Sequence, residues 1–113
     1  MLTKAMMYTG DNINGTSRYV LVCEVALGKS KEMLRVNNNY ELEAGFNSVV
    51  GLGKQAPDDA KVSMVTINDG AIVPLGKTRN FIGNGRENSD FQYNEYVVPD
   101  SNQVRMRYLL QFK

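Results

Sequence analysis

Glu95 sits between Tyr93 and Tyr96, directly after a stretch rich in glycine and asparagine. A carboxylate on an aromatic-lined strand beside a long loop is a catalytic candidate. The plain alternative is a solvated glutamate on an outer sheet face, paired with Arg105 or Arg107. Near the other end, Tyr8 follows Lys4 and can offer a stacking platform for a planar ligand, or simply be half-buried core. Gly51-Leu52-Gly53-Lys54 has the look of a phosphate loop but fails its spacing. Gln55 follows the lysine, and no glycine stands five positions before Gly53. Glu24 interrupts an apolar run beside Cys23. It is either half of a buried polar pair with that thiol or a glutamate held by a lysine or backbone amides. Arg105 and Arg107 alone make too small a patch for nucleic acid.

Composition narrows the chemistry. The 113 residues contain no histidine, so no Ser-His-Asp or Cys-His machinery and no His-containing zinc site can be built from them. A single cysteine, Cys23, excludes an internal disulfide or a Cys-x-x-Cys metal site, and fits a reduced compartment. The net charge of +1 gives no bulk attraction to nucleic acid or anionic membranes. The longest apolar run, Tyr19 to Cys23, stops at Glu24, far short of the ~20 residues of a membrane helix. Met1 to Gly10 lacks the apolar centre of a signal peptide. With 42% hydrophobic residues the chain reads as one small, soluble, intracellular globular unit with a single core.

The elements that must position Glu95 are mostly strands. Lys4 to Tyr8 suits one or two helical turns. Tyr19 to Leu27, apolar and β-branched, predicts a central strand buried on both faces. Lys29 to Val36 reads as a helical turn or an irregular edge segment, and Ser48 to Gly53 as a bent strand or loop. Val62 to Ile67 and Ala71 to Leu75 flank Asn68-Asp69-Gly70, a hairpin signal. Gly76 to Asp90 reads as a surface loop of about 15 residues, a length often tied to function. Tyr93 to Val98 and Gln103 to Phe112, joined by Pro99-Asp100-Ser101-Asn102, predict a second hairpin. In its last strand Val104, Met106, Tyr108, Leu110 and Phe112 share one face. The expected class is α+β, mostly antiparallel β, and not a βαβ protein.

Several of these segments together resemble one family. Glu24-Val25-Ala26-Leu27-Gly28 is similar to its Glu-Val-Ala-Leu-Gly strand. Ser48, Gly51-Leu52-Gly53-Lys54 and Pro57-Asp58 follow its next segment, and Val73-Pro74-Leu75-Gly76 comes after in the expected place. Tyr93-Asn94-Glu95-Tyr96-Val97-Val98 resembles its catalytic-glutamate strand, and Asn102 to Leu110 its final strand. The family is the poly(ADP-ribose) polymerases, in their DNA-damage-dependent nuclear branch, with the last segment most similar to the branch's shorter second member. The likeness runs in order from Thr3 to Phe112.

The resemblance implies transfer of ADP-ribose from NAD+, a substrate, to proteins or a growing poly(ADP-ribose) chain, with release of nicotinamide and no metal. It implies that Glu95 holds the nicotinamide-ribose hydroxyl and polarises the acceptor, with Lys4 close by. Tyr8 would stack on nicotinamide, and Tyr93 and Asn94 would line the acceptor site beside the Gly76–Gln92 loop. Ala5 stands where the family has a serine that bonds the nicotinamide carboxamide, a loss on the order of 1 kcal/mol of binding. The family's domain starts upstream with a His-Gly-Thr motif, and this chain has no histidine. Residues 1–113 are therefore expected to form the second half of an ADP-ribosyltransferase-type β fold, weak or inactive alone. DNA would be reached only through upstream regions, membranes not at all, and the expected location is nuclear. The alternative is a half-domain without turnover that serves as a protein interaction module.

Overall fold

The computed structural model describes residues 2–9, 17–58, 64–67 and 69–113. In chain order the elements are α1 (Leu2–Met7), β1 (Arg18–Val25), β2 (Ser30–Met33), β3 (Ser48–Gly51), β4 (Gln55–Pro57), β5 (Met64–Thr66), β6 (Ile72–Pro74), β7 (Thr78–Asn80), β8 (Glu95–Val97) and β9 (Val104–Phe112). Mostly antiparallel β with one short α-helix is the class the sequence predicts. The chain divides into two compact units, Met1–Ala26 with Asp100–Lys113, and Leu27–Pro99.

In the first unit, α1 is built from good helix formers and lies against β1. It ends where the Thr9 hydroxyl donates to the Met6 carbonyl at 2.8 Å. β1 pairs antiparallel with β9, Val20 opposite Leu110 and Glu24 opposite Arg105. The register shifts between Val22 and Cys23, whose partners are Tyr108 and Met106, so Arg107 has no residue opposite it. That bulge resets the side-chain parity of the strand. Val104 and Met106 therefore share a face with Val25 and Cys23, while Tyr108, Leu110 and Phe112 share the other with Val22, Val20 and Arg18. The single apolar face expected of β9 is thus split between both sides of the sheet. The bulged Arg107 donates from Nε and Nη2 to Glu24 Oε2, the first at 2.7 Å. Glu24 is accordingly held by an arginine of the facing strand, not by Cys23 or a lysine.

Two expectations fail here. Burial of β1 on both faces is not observed, since Tyr19 and Leu21 are each 52% exposed. The second hairpin does not form either, because β9 pairs with β1 and β8 pairs with β3. The nine-residue β9 finds in β1 a partner of matching length, whereas β8 has three residues. Between them a 3-10 turn, Ser101–Gln103, is fixed by a capping box in which Asp100 accepts from the Asn102 amide at 2.8 Å and Gln103 accepts from the Asp100 amide at 3.2 Å.

The second unit contains a three-stranded sheet, β2-β3-β8, and the pairs β4-β7 and β5-β6. β2 runs parallel to β3, Ser30 opposite Ser48, so residues 29–36 hold a strand and not a helical turn. The 14-residue crossover Leu34–Asn47 is long enough to permit a parallel pair. β5 and β6 form the expected hairpin around Asp69-Gly70, while Val62, Ser63 and Asn68 of that reading lie outside the described residues. The Gly76–Asp90 loop is less open than expected: β7 pairs with β4, and Arg86–Asn88 makes a 3-10 turn. Among the described residues the buried apolar side chains are Val50 and Ala56, and Ser48 is fully buried, hydroxyl to hydroxyl with Ser30 at 2.7 Å. No described helix is long and apolar enough to cross a membrane.

The Glu24–Arg107 pair is expected to contribute about 1.5–3 kcal/mol as a charge-assisted contact across a bulge. Urea unfolding of Glu24→Gln, Arg107→Gln and the double variant tests it. The two single losses added together should exceed the loss in the double variant, and strict additivity would refute the coupling.

Candidate active site

Glu95 is the first residue of β8 and stands opposite Gly51 of β3. It is half-buried and lines a cavity of about 330 Å³ inside the second unit. Met33, Phe91 and Val97 give that cavity apolar walls, and Arg35 and Tyr40 bring polar groups to it. The Tyr40 hydroxyl is buried and finds no hydrogen-bond partner among the described residues. Of the arginines offered by the plain reading of Glu95, Arg105 stands opposite Glu24 in the β1–β9 register and Arg107 donates to Glu24.

What sets Glu95 in place is a close approach of two backbones. A Cβ on Gly53 would stand 2.3 Å from the Tyr93 carbonyl carbon, and one on Gly51 would stand 2.7 Å from the Phe91 ring. Only glycine admits such contact. The two segments then exchange hydrogen bonds. Lys54 and Gln55 amides donate to the carbonyls of Phe91 and Gln92, both at 3.0 Å, and the Gly53 amide donates to Asn94 Oδ1 at 2.9 Å. The Gly-Leu-Gly-Lys motif is therefore a packing device for the Glu95 strand and not a phosphate cradle.

The chain just before β8 is pinned by Ser89 and Asp90. Ser89, 3% exposed, donates from Oγ to the Leu52 carbonyl at 2.6 Å and accepts from the Phe91 amide at 3.1 Å. Asp90 accepts from Arg35 Nη1 and from the Val36 amide, both at 2.9 Å. The Val36 amide, followed by the Arg35 guanidinium, holds the Asp90 carboxyl below the usual aspartate range. In the loop upstream, the guanidinium groups of Arg79 and Arg86 stand over the Phe81 ring, at 4.7 and 4.2 Å from its centroid.

The other sequence-predicted residues are placed as follows. Lys4, Ala5 and Tyr8 belong to the α1 region of the first unit, and Glu95, Tyr93 and Asn94 to the second. Tyr8 is 80% exposed, so it is not half-buried core. The Ala5 carbonyl accepts from the Tyr8 amide at 3.1 Å. Tyr93 is half-buried and bridges to Gln55. The sequence reading missed Tyr40, Phe91, Ser89 and Asp90. Phe91 alone left a trace, as an aromatic two residues before Tyr93. Among the described residues no cluster of three His, Cys, Asp or Glu side chains is arranged to hold a metal ion.

Residues 1–113 match, over their full length, the family model of the poly(ADP-ribose) polymerase catalytic domain. The chain belongs to that family. It is 36% identical over 114 residues to Poly [ADP-ribose] polymerase 2 of Arabidopsis thaliana, covering 100% of this chain and 17% of the relative. It is 46% identical over 92 residues to Poly [ADP-ribose] polymerase 2 of Homo sapiens, covering 80% of this chain and 15% of that protein. Poly [ADP-ribose] polymerase 1 of Gallus gallus is 38% identical over 113 residues, 100% of this chain and 11% of the relative. The chain thus spans less than a fifth of the length of these curated relatives. In this polymerase-family chain, the carboxylate singled out from local sequence stands at a cavity wall.

Gly53→Ala should cost about 1–3 kcal/mol, because backbone cannot yield as a flexible side chain does; an unchanged urea midpoint would refute the close-approach account. Asp90 titrates low in the folded state, so its bonds stabilise fully above the unfolded-chain value and are lost as pH falls through the folded one. An NMR acid titration of the Val36 amide should show a midpoint below 3.8.

Proposed function

We propose that this chain supplies the catalytic glutamate, Glu95, for transfer of ADP-ribose from NAD+ to protein or polymer acceptors, with loss of nicotinamide. Family membership supports the reaction class, and the observation that carries the residue is Glu95 half-buried on a cavity wall at the head of β8. Breaking the bond from ribose to nicotinamide builds positive charge on the sugar, which a fixed carboxylate stabilises. A carboxylate can also accept a hydrogen bond from a ribose or acceptor hydroxyl and so orient it for attack. The aromatic and apolar walls around Glu95 fit the exclusion of water that this chemistry needs.

In the same proposal, which rests here on the family resemblance, Lys4 serves the same reaction as Glu95, Tyr8 stacks on nicotinamide, and Ala5 leaves the carboxamide one hydrogen bond short. Tyr93 and Asn94 serve the acceptor side, although Asn94 Oδ1 is already engaged by Gly53. The 113 residues act as the second half of a catalytic domain. Coverage of only 11–17% of the relatives supports this, as do the exposed apolar strands β1 and β9. A nuclear location and a link to DNA damage belong to the proposal through the relatives' family alone. A non-catalytic interaction module is the second reading, favoured by Ala5 and the lack of any histidine.

The native polypeptide that carries this segment, isolated from its cells, should release nicotinamide from labelled NAD+. Glu95→Gln should lower that rate by about 10²–10³-fold, the usual loss for one preorganised electrostatic group. Equal rates in the two would assign the chemistry elsewhere. No shift in melting temperature with NAD+ or nicotinamide would favour the interaction module.

A further inference from the structure

β8 has three residues and, among the described residues, pairs with β3 alone, and Glu95 is its first residue, so where its backbone enters the sheet is set in part by the lead-in, Ser89 to Asn94. From the hydrogen bonds of that lead-in we infer that Ser89 and Asp90 are positioning residues for Glu95. The inference rests on the reading of Glu95 as the catalytic carboxylate.

Ser89 and Asp90 join three segments that each carry a wall of the Glu95 cavity. The first is the chain leaving β2: the Asp90 amide donates to the Leu34 carbonyl at 2.9 Å, and the Asp90 carboxylate takes one hydrogen bond from Arg35 and one from Val36. The second is the end of β3, where the Ser89 hydroxyl donates to Leu52, with the Leu34 carbonyl 3.3 Å away as a second acceptor within reach. The third is the lead-in, where the same hydroxyl oxygen accepts from the Phe91 amide and so seats the Phe91 ring over Gly51, the residue opposite Glu95. Arg35 and Val36, Gly51, and Phe91 with Glu95 line the cavity from those three segments. A shift of the lead-in would move Glu95 relative to the walls that face it. Small displacements of a catalytic group are costly in rate while leaving substrate binding nearly intact.

Asp90→Asn keeps the shape but turns one of the two oxygens that accept from Arg35 and Val36 into a donor, and Ser89→Ala removes the hydroxyl. Two measurements test the inference. In the 113-residue chain, amide hydrogen exchange should speed up at least about tenfold in β3 and β8 for either variant, with β1 and β9 unchanged as internal reference. In the native polypeptide, kcat should fall about tenfold or more with KM for NAD+ within about twofold. Arg35→Gln combined with Asp90→Asn restores an amide pair and should recover part of both losses. Uniform acceleration in both units would make these residues merely structural, and no acceleration with unchanged kcat would overturn the inference. If Glu95→Gln left turnover intact, the reading of Glu95 would fall, while the exchange result would still decide whether Ser89 and Asp90 fix β8.

Discussion

Two backbones lie too close for any side chain between them where Gly53 meets Tyr93, and the architecture around Glu95 follows from that contact. With a Cβ at 2.3 Å from a carbonyl carbon there is no rotamer to change and no flexible tip to displace. Because the segments touch, the amides of Gly53, Lys54 and Gln55 reach acceptors on residues 91–94, and backbone groups that would otherwise need water are satisfied within the unit. The same closeness leaves a space beside Gly51 that the Phe91 ring fills, and so shapes a wall of the cavity.

The second unit is held more by polar geometry than by apolar burial. Val50 and Ala56 are small buried apolar side chains, yet Ser48 and Ser89 are buried as deeply. A buried hydroxyl is tolerated only when its hydrogen bonds are made, and both serines make theirs. Such a unit gains order from directional contacts whose loss is felt locally, in contrast to a large oily core that averages over many neighbours. Arg35, which lines the cavity, extends this pattern by donating to Asp90.

That Glu95 stands on a strand after a polar loop was legible in the sequence because its neighbours are informative: aromatic residues on each side and a glycine- and asparagine-rich stretch before it. The hairpin at Asp69-Gly70 and the short helix at the N-terminal end were legible for the same reason, since each is specified within a few residues. What escaped was specified at long range. β9 pairs with β1, some 80 residues away in sequence, and the bulge at Arg107 exists only in relation to that partner. A strict alternation from Val104 to Phe112 cannot reveal a one-residue slip made to let Arg107 reach Glu24. Ser89 and Asp90 look like loop residues in sequence. Their role comes from carbonyls and amides at positions 34, 36 and 52, and backbone groups carry no sequence signature.

The reset parity of β9 has a consequence for what the first unit needs around it. Because the bulge divides the apolar residues of β9 between two faces, each face of the β1–β9 ribbon carries apolar side chains: Val20, Val22, Tyr108 and Leu110 beside the charged Arg18, Glu24 and Arg105 on one, Tyr19, Leu21, Val25, Val104, Met106 and Leu109 on the other. Met106 is 70% exposed, Tyr108 65% and Leu109 63%. A two-stranded ribbon is marginal in water by itself, and apolar side chains on both faces gain from being covered, as where α1 lies against β1. At roughly 25 cal/mol per Å² of apolar surface, covering either face would contribute several kcal/mol. The exposed apolar side chains of this ribbon are thus the surface on which any covering element would act. An interaction module would need a partner of the same apolar character on the same strands. The two readings therefore differ in what covers β1 and β9, while agreeing that these strands are built to be covered.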